Sequence, residues 1–372
     1  MTQATTEEYT RRHFLALGLG AVAAGAGASY PRAGREDQLR HDANDRIQVA
    51  VIGCGRRGSA LLDVLRQQVA GAALIATCDL CPSRRAQVYT RHRVPAFADW
   101  REVVAREDVD AVVIAAPDPC RAEIAVAALD TGKHVYCEAP AARTAEEARA
   151  LHDAWRRSSR AVQIGVAELS LPGWHEARAI VERGDLGPIR WCQTGGAGRA
   201  GGPVASWRRT LASSNGPALE HQLRQLTALL SVFNPGSPLR VAAAGGALDT
   251  NGGDAPDCLL TTIEYPGDLT VVLSANVPDG DAAATLRGSG QTLRVRQDKA
   301  VLFANGAMPP RDKRPADGPT PATALAAHVS DWLDAIRAGR PCRCGPDLAL
   351  SAQPIIDAAL SAYQQARTVN CA

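Results

Sequence analysis

Ile47-Gln48-Val49-Ala50-Val51-Ile52-Gly53-Cys54-Gly55-Arg56-Arg57-Gly58 is the stretch that decides the fold. Its near-continuous apolar run reads as a parallel strand buried on both faces. The run breaks into Gly-x-Gly-x-x-Gly, and leucines at helical spacing follow between Ser59 and Val69. In such a pattern the first glycine permits a tight turn. The second lets backbone approach a pyrophosphate, and the third packs the helix on the strand. The helix start then offers free N–H groups to phosphate. A second apolar run, Ala72 to Cys78, ends at Asp79, about twenty residues on, where a ribose-binding carboxylate belongs. Together these features predict a dinucleotide site built from Gly53, Gly55, Arg56, Arg57, Gly58 and Asp79. Asp79 would repel a 2′-phosphate while accepting ribose hydroxyls, which favours NAD; Arg84 and Arg85 nearby keep NADP as the alternative.

Strand and helix signals alternate from there. Helices are expected at Ser83 to Arg91, after the capping box Asp99-Trp100-Arg101-Glu102, at Arg121 to Thr131 with Gly132 as C-cap, and after Thr144-Ala145-Glu146-Glu147. Strands are expected at Val94 to Phe97, Ala111 to Ala115, His134 to Cys137 and Val162 to Val166. Regular alternation means a Rossmann-type doubly wound parallel sheet, assigned to residues 46–166. The pattern then changes. Helices at Glu176 to Glu182 and Ala218 to Phe233 accompany strands at Ile189 to Gln193, Leu259 to Tyr265, Leu269 to Ala275, Gln291 to Arg296 and Val301 to Phe303. Pro266-Gly267 occupies type II turn positions between two of them. Gly195 to Gly202 reads as a flexible glycine-rich loop and Pro309 to Pro321 as a polar, proline-rich one. Two helices, Ala322 to Ala338 and Asp347 to Ala366, finish the chain and are expected to pack back on the first domain. Residues 167–372 therefore read as a second, α+β domain with a mostly antiparallel sheet.

A chain of 372 residues has room for about two domains. A net charge of +2, with arginine pairs spread along the chain and no aromatic interleaving, gives no electrostatic case for nucleic acid. Thr10-Arg11-Arg12-His13-Phe14-Leu15 precedes a weakly hydrophobic run to Ala28, which resembles a twin-arginine export signal over residues 1–28. Residues 29–45 read as a polar linker. The expectation is a periplasmic or otherwise exported protein that meets the twin-arginine translocase and keeps no membrane span after cleavage. Cys78-Asp79-Leu80-Cys81 looks like a CxxC, yet no second pair or histidine cluster accompanies it, so packing is the expected role and no metal site is assigned.

With Gly132-Lys133-His134-Val135-Tyr136-Cys137-Glu138-Ala139-Pro140 added to the glycine turn, the chain resembles the Gfo/Idh/MocA oxidoreductase family. Further matching segments are Ala111 to Pro117, Gly184 to Ile189, Gly216 to Leu230, Glu264-Tyr265-Pro266-Gly267 and His328-Val329-Ser330-Asp331-Trp332-Leu333. The resemblance implies an NAD(P)-binding domain and an open sheet that often mediates homo-oligomers. It also implies a small carbohydrate substrate, and adds Pro117 and Glu138 to the cofactor residues. The catalytic pattern departs from the family's. Where its members usually have Glu-Lys-Pro, this chain has Glu138-Ala139-Pro140, and its three lysines, Lys133, Lys299 and Lys313, lie elsewhere in the sequence. Where the family's later helix carries Asp-x-Gly-x-His-x-x-Asp, this chain has Glu220, Gln222, Arg224 and Thr227. Arg121 matches a histidine often found after the fourth strand. Glu220 with His221 is the best remaining acid/base pair, and Arg224 is a candidate for binding a carboxylate or polarising a substrate oxygen. Three functions remain open: a sugar oxidoreductase, an NAD-dependent glycosidase acting by transient oxidation, and a ligand-binding pseudoenzyme.

Overall fold

The computed structural model describes residues 46–195, 206–247, 253–276, 284–307 and 320–371. The segments expected to be an export signal and a linker lie outside the described residues, as do most of the expected glycine-rich and proline-rich loops, with Lys313. Two compact units are present. The first takes the described residues up to 142, together with 149–165 and 329–346. The second takes 143–148, 166–328 and 347–372.

In the first unit β1 (Ile47–Ile52) is followed by α1 (Arg56–Gln67), β2 (Ala72–Cys78) and α2 (Pro82–His92). Next come β3 (Ala96–Phe97), α3 (Trp100–Val104), β4 (Ala111–Ile114), α4 (Asp118–Asp130) and β5 (His134–Glu138). Most of α5 (Ala145–Arg157) and β6 (Val162–Gly165) complete it. All six strands are parallel, in the order β3-β2-β1-β4-β5-β6. This is the order of a dinucleotide-binding Rossmann sheet, with its reversal between β1 and β4. Central β4 has every residue buried, as the unbroken run Ala111-Val112-Val113-Ile114 requires.

The local signals act as their chemistry dictates. Asp99 caps α3 by accepting the Arg101 N–H at 2.9 Å. Gly132, at φ +77°, ends α4 in a Schellman motif: its N–H donates to Leu129 O and that of Lys133 to Ala128 O. One boundary differs, because α4 begins at Asp118 and not at Arg121. Pro119 in the first turn has no N–H to waste there, so the helix starts three residues earlier. The late segment of this unit is tied to β5 and β6. Trp332 packs edge-on against Tyr136 with ring centroids 5.7 Å apart, and the Ile164 N–H donates to Cys344 O at 2.7 Å.

The second unit contains α6 (Pro172–Glu182), β7 (Ile189–Thr194), α7 (Pro217–Val232), β8 (Arg240–Gly246), β9 (Cys258–Tyr265) and β10 (Leu269–Ala275). It continues with β11 (Ala284–Gly288), β12 (Gln291–Val295), β13 (Ala300–Ala304), the first part of α8 (Pro321–Ala338), most of α9 (Pro346–Gln365) and β14 (Val369–Asn370). Its eight strands run β13-β12-β11-β7-β10-β9-β8-β14. Neighbours are antiparallel except β7 and β10, whose parallel pairing makes the sheet mixed. Helices α6 and α7 pack on this sheet. At the β9–β10 turn Pro266-Gly267 keeps the left-handed second residue that a type II turn needs, and a third loop residue follows. Gly267 (φ +74°) and Asp268 (φ +59°) are both left-handed, as the right-handed twist of a tight hairpin favours.

Candidate functional site

The glycines of the β1–α1 turn are required for three different reasons. Gly53 has φ +93°, and a Cβ there would lie 2.6 Å from the carbonyl carbon of Ala115. At Gly58 a Cβ would come within 1.8 Å of Gly53 O, so only glycine lets α1 approach β1. Gly55 is different. A Cβ there would meet only a terminal nitrogen of Arg84 at 3.9 Å, so neither fold nor conformation forbids a side chain. What the bare position leaves clear is the approach to the N-terminus of α1, which has no side-chain cap. A diphosphate fits that space, with backbone N–H groups of the first turn aimed at it. The donor set thus suits a dinucleotide.

Asp79 ends β2 as a buried carboxylate. Its Oδ2 accepts the Cys54 N–H and its Oδ1 the Cys81 N–H, both at 2.8 Å. Each oxygen retains acceptor capacity for a hydroxyl. The two arginines that follow diverge. Arg85 turns back and donates to the carbonyls of Asp79 and Leu80, both at 2.8 Å. Arg84 is exposed, with Nη1 3.7 Å from Asp79 Oδ2. The neighbouring thiols are free and buried. Burial, reinforced by the charge of Asp79, pushes Cys54 up to about 12. Burial pushes Cys81 up too, but the Ser83 hydroxyl and the N–H groups of Ser83 and Arg84 outweigh it and leave this thiol lowered.

At the same carboxyl end of the sheet, Arg57 Nε stands 2.8 Å from Glu138 Oε1. Glu138 is 2 % exposed and Ala139 is 4 % exposed, and the Ala139-Pro140 peptide is cis. Pro117 is the N-cap residue of α4 and half-buried, and Arg56 is exposed. Sequence reasoning missed the role of Arg121. It is 4 % exposed; its Nε donates to Ala116 O at 2.7 Å and its Nη1 to Pro140 O at 2.8 Å, bracing the segments that leave β4 and β5. Asp118 lies 3.8 Å away as a counter-charge. No feature of the sequence encodes those carbonyl partners. The Lys133 ammonium donates to Arg106 O at 2.7 Å, at the start of β5.

The α7 candidates belong to the second unit. Glu220 is buried, accepts from the Ser214 hydroxyl at 2.8 Å, and lies 3.3 Å from Arg208 Nε. His221 Nε2 lies 2.8 Å from Gln225 Nε2. These two are the expected acid/base pair, and as consecutive helical residues they leave α7 in different directions. Arg224 Nε lies 3.7 Å from Glu168 Oε1. Gln222 is fully buried and structural: it donates to Leu259 O and Leu273 O and accepts from Thr261. Thr227 donates to Leu223 O within its own helix. Among the described residues no group of histidines, cysteines and carboxylates is arranged to hold a metal.

A parallel sheet in this order, with a glycine turn and a carboxylate ending β2, defines a dinucleotide-binding Rossmann domain. Residues 47–166 match the model of the Gfo/Idh/MocA family, described as an oxidoreductase family with an NAD-binding Rossmann fold, and this segment is an NAD-binding Rossmann domain. The chain is 30% identical over 144 residues to an inositol 2-dehydrogenase of Salmonella typhimurium, covering 38% of this chain and 43% of that protein. It is 29% identical over 213 residues to a levoglucosan dehydrogenase of Pseudarthrobacter phenanthrenivorans, covering 52% and 54%. The chain thus matches less than half the length of the inositol dehydrogenase. A solved levoglucosan dehydrogenase in complex with NADH and levoglucosan superimposes with a TM-score of 0.72 over 88% of this chain and 99% of that one. At 20% identity that likeness speaks for the fold.

Proposed function

We propose that this chain is an exported NAD(P)-dependent oxidoreductase of the Gfo/Idh/MocA type acting on a sugar or polyol, with the family's usual lysine replaced. The carrying observation is the glycine turn bonded to Asp79, a cradle whose open position at Gly55 suits a diphosphate. The named relatives support a carbohydrate substrate. NAD would supply a hydride acceptor at its nicotinamide. Asp79 would hold ribose hydroxyls, and the first turn of α1 the diphosphate. Ala139 offers no proton to move, so the proton at the substrate oxygen would pass to another group, for which Glu220, His221 and Arg224 are the proposed candidates. The test is native purification, identification of any bound nucleotide, and a sugar panel read at the absorbance of reduced nicotinamide. A new reduced band with one sugar supports the proposal; no nucleotide bound or taken up overturns it.

A second reading is favoured by Glu138-Ala139-Pro140-Ala141, which resembles the Glu-Val-Pro-Ala of NAD-dependent glycosidases. Outside the cytoplasm released NADH has no ready pool for reoxidation, and hydrolysis through transient oxidation returns the cofactor to its starting state. Aglycone release with no net absorbance change, lost when NAD is stripped, distinguishes this reading. Binding of nucleotide and sugar without either activity would mark a pseudoenzyme. Export rests on Arg11 and Arg12 with the run to Ala28, and is tested by Arg11→Lys with Arg12→Lys, which should retain the precursor inside the cell. No helix among the described residues is long and apolar enough to cross a membrane. A homo-oligomer is proposed through the second sheet, where register places exposed Trp191 and Leu260 on one face; size-exclusion with light scattering tests it.

A further inference from the structure

The Arg57–Glu138 contact joins parts of the sheet that are not neighbours. Arg57 lies in the first turn of α1, after β1, and Glu138 ends β5, while β4 runs between those strands. The ion pair therefore crosses the carboxyl end of β4, beside the reversal where dinucleotides lie in sheets of this order. Asp79, at the end of β2, marks the adenosine half of that crevice. The half over β4 and β5 is left for the nicotinamide.

The acid of the pair is held firmly. A Cβ on Gly165 would lie 2.8 Å from Glu138 Oε1 and 3.0 Å from its carboxyl carbon, so β6 carries no side chain where the carboxylate rests. Glu138 is almost wholly buried, whereas the Arg57 side chain is about one-third exposed, at 35%. An anion fixed in the wall is thus covered by a cation facing the open side. Both stand next to Ala139, where relatives would carry a lysine ammonium.

The oxidised nicotinamide ring is a cation and the reduced ring is neutral. A carboxylate beside the ring favours the oxidised form, and a guanidinium favours the reduced form. At a separation of about 12 Å and an effective dielectric of about 20, one unit charge changes their relative affinity by about tenfold. We infer that Arg57 and Glu138 form a redox-poising pair, setting how tightly the protein holds NADH relative to NAD. This rests on the NAD-binding reading above. It assigns Arg57 a role the glycine motif does not require, since a spacer residue there can be apolar.

The test is a titration of NADH by fluorescence, with NAD measured by competition, on the full chain at fixed pH and salt. Arg57→Met should raise the ratio Kd(NADH)/Kd(NAD) by about tenfold, Glu138→Gln should lower it by a similar factor, and the double variant should return towards the wild type. Arg57→Lys keeps the charge and should stay within about twofold of the wild-type ratio. If the charge variants weaken both nucleotides alike and leave the ratio unmoved, the pair is merely structural and the inference is overturned. Wild-type protein that binds neither nucleotide would instead overturn the NAD-binding reading. Should Glu138→Gln fail to fold, the contrast between Arg57→Met and Arg57→Lys decides alone.

Discussion

Asp79 Oδ2 accepts the backbone N–H of Cys54 at 2.8 Å, which binds the end of β2 to the turn after β1. The same carboxylate accepts the Cys81 N–H, so it shapes the glycine turn before any ribose arrives. Asp79→Ala strands two buried N–H donors and should cost about 3 kcal/mol in urea unfolding, with NAD affinity falling at least about tenfold. Asp79→Asn retains one acceptor oxygen and should lose less stability. An Asp79→Ala protein as stable as the wild type would refute the bracing role.

The glycines allow stability and binding to be separated. Gly55→Ala places a methyl group in open space at ordinary φ, so unfolding should shift by no more than about 0.5 kcal/mol. Its methyl would stand where a diphosphate approaches, and NAD affinity should drop by about tenfold or more. Gly58→Ala drives a Cβ into Gly53 O, and should destabilise by about 3 kcal/mol or prevent folding. Thermal melts with and without NAD read both effects.

How far the sequence was legible follows from burial. Strands β1, β2, β4, β5 and β6 are covered on both faces, so they read as apolar runs with glycine, proline or aspartate at their ends. Their order follows from the alternation with helices. Three strands of the second sheet were not expected. Strand β8 reads Arg-Val-Ala-Ala-Ala-Gly-Gly, small residues of low strand propensity, ordered by pairing with β9. Strand β14 has only two residues, and β11 is placed by long-range pairing to β7 and β12. At the site, motif spacing identified Asp79 and the glycines. The hydrogen-bond partners of Arg121, Gln222 and Glu220 are backbone or side-chain groups outside their own helices, and no local pattern announces them.

A pH dependence follows from His134. Its Nδ1 accepts the Ala161 N–H at 2.9 Å, and burial, with the charge of Arg160 second, lowers it to about 4. The folded value lies below the unfolded one. The stabilisation is therefore complete above about 6.5 and is lost as pH falls from there through about 4. Two and a half units at about 1.4 kcal/mol each give a loss of about 3 kcal/mol. His134→Gln should show a smaller drop in urea midpoint between pH 7.5 and pH 4, and equal drops would refute the assignment.

Gln222 fastens α7 to β9 and β10. Gln222→Met would leave Leu259 O and Leu273 O without their donor and the Thr261 hydroxyl without its acceptor. The expected cost is about 3 kcal/mol. Urea unfolding measures it, and a change below about 1 kcal/mol would mean that the carbonyls have other donors.

Arg121 raises a sharper question, because a buried cation is costly unless it is paired and hydrogen-bonded. Its side chain is spent on Ala116 O and Pro140 O, and its charge is opposed by buried Asp118 at 3.8 Å. A guanidinium so enclosed cannot act as a base, but it fixes the carbonyl that follows Ala139. Arg121→Met removes donors from two carbonyls and the cation beside Asp118, and should cost about 3–5 kcal/mol. Arg121→Lys keeps the charge without the fork that spans both carbonyls, and should recover less than half of that loss. Because the brace ends on Pro140, nucleotide affinity should fall with stability in both variants, and the oxidised and reduced forms should weaken together. That joint loss distinguishes a brace from the charge effect assigned to Arg57, which moves one form against the other.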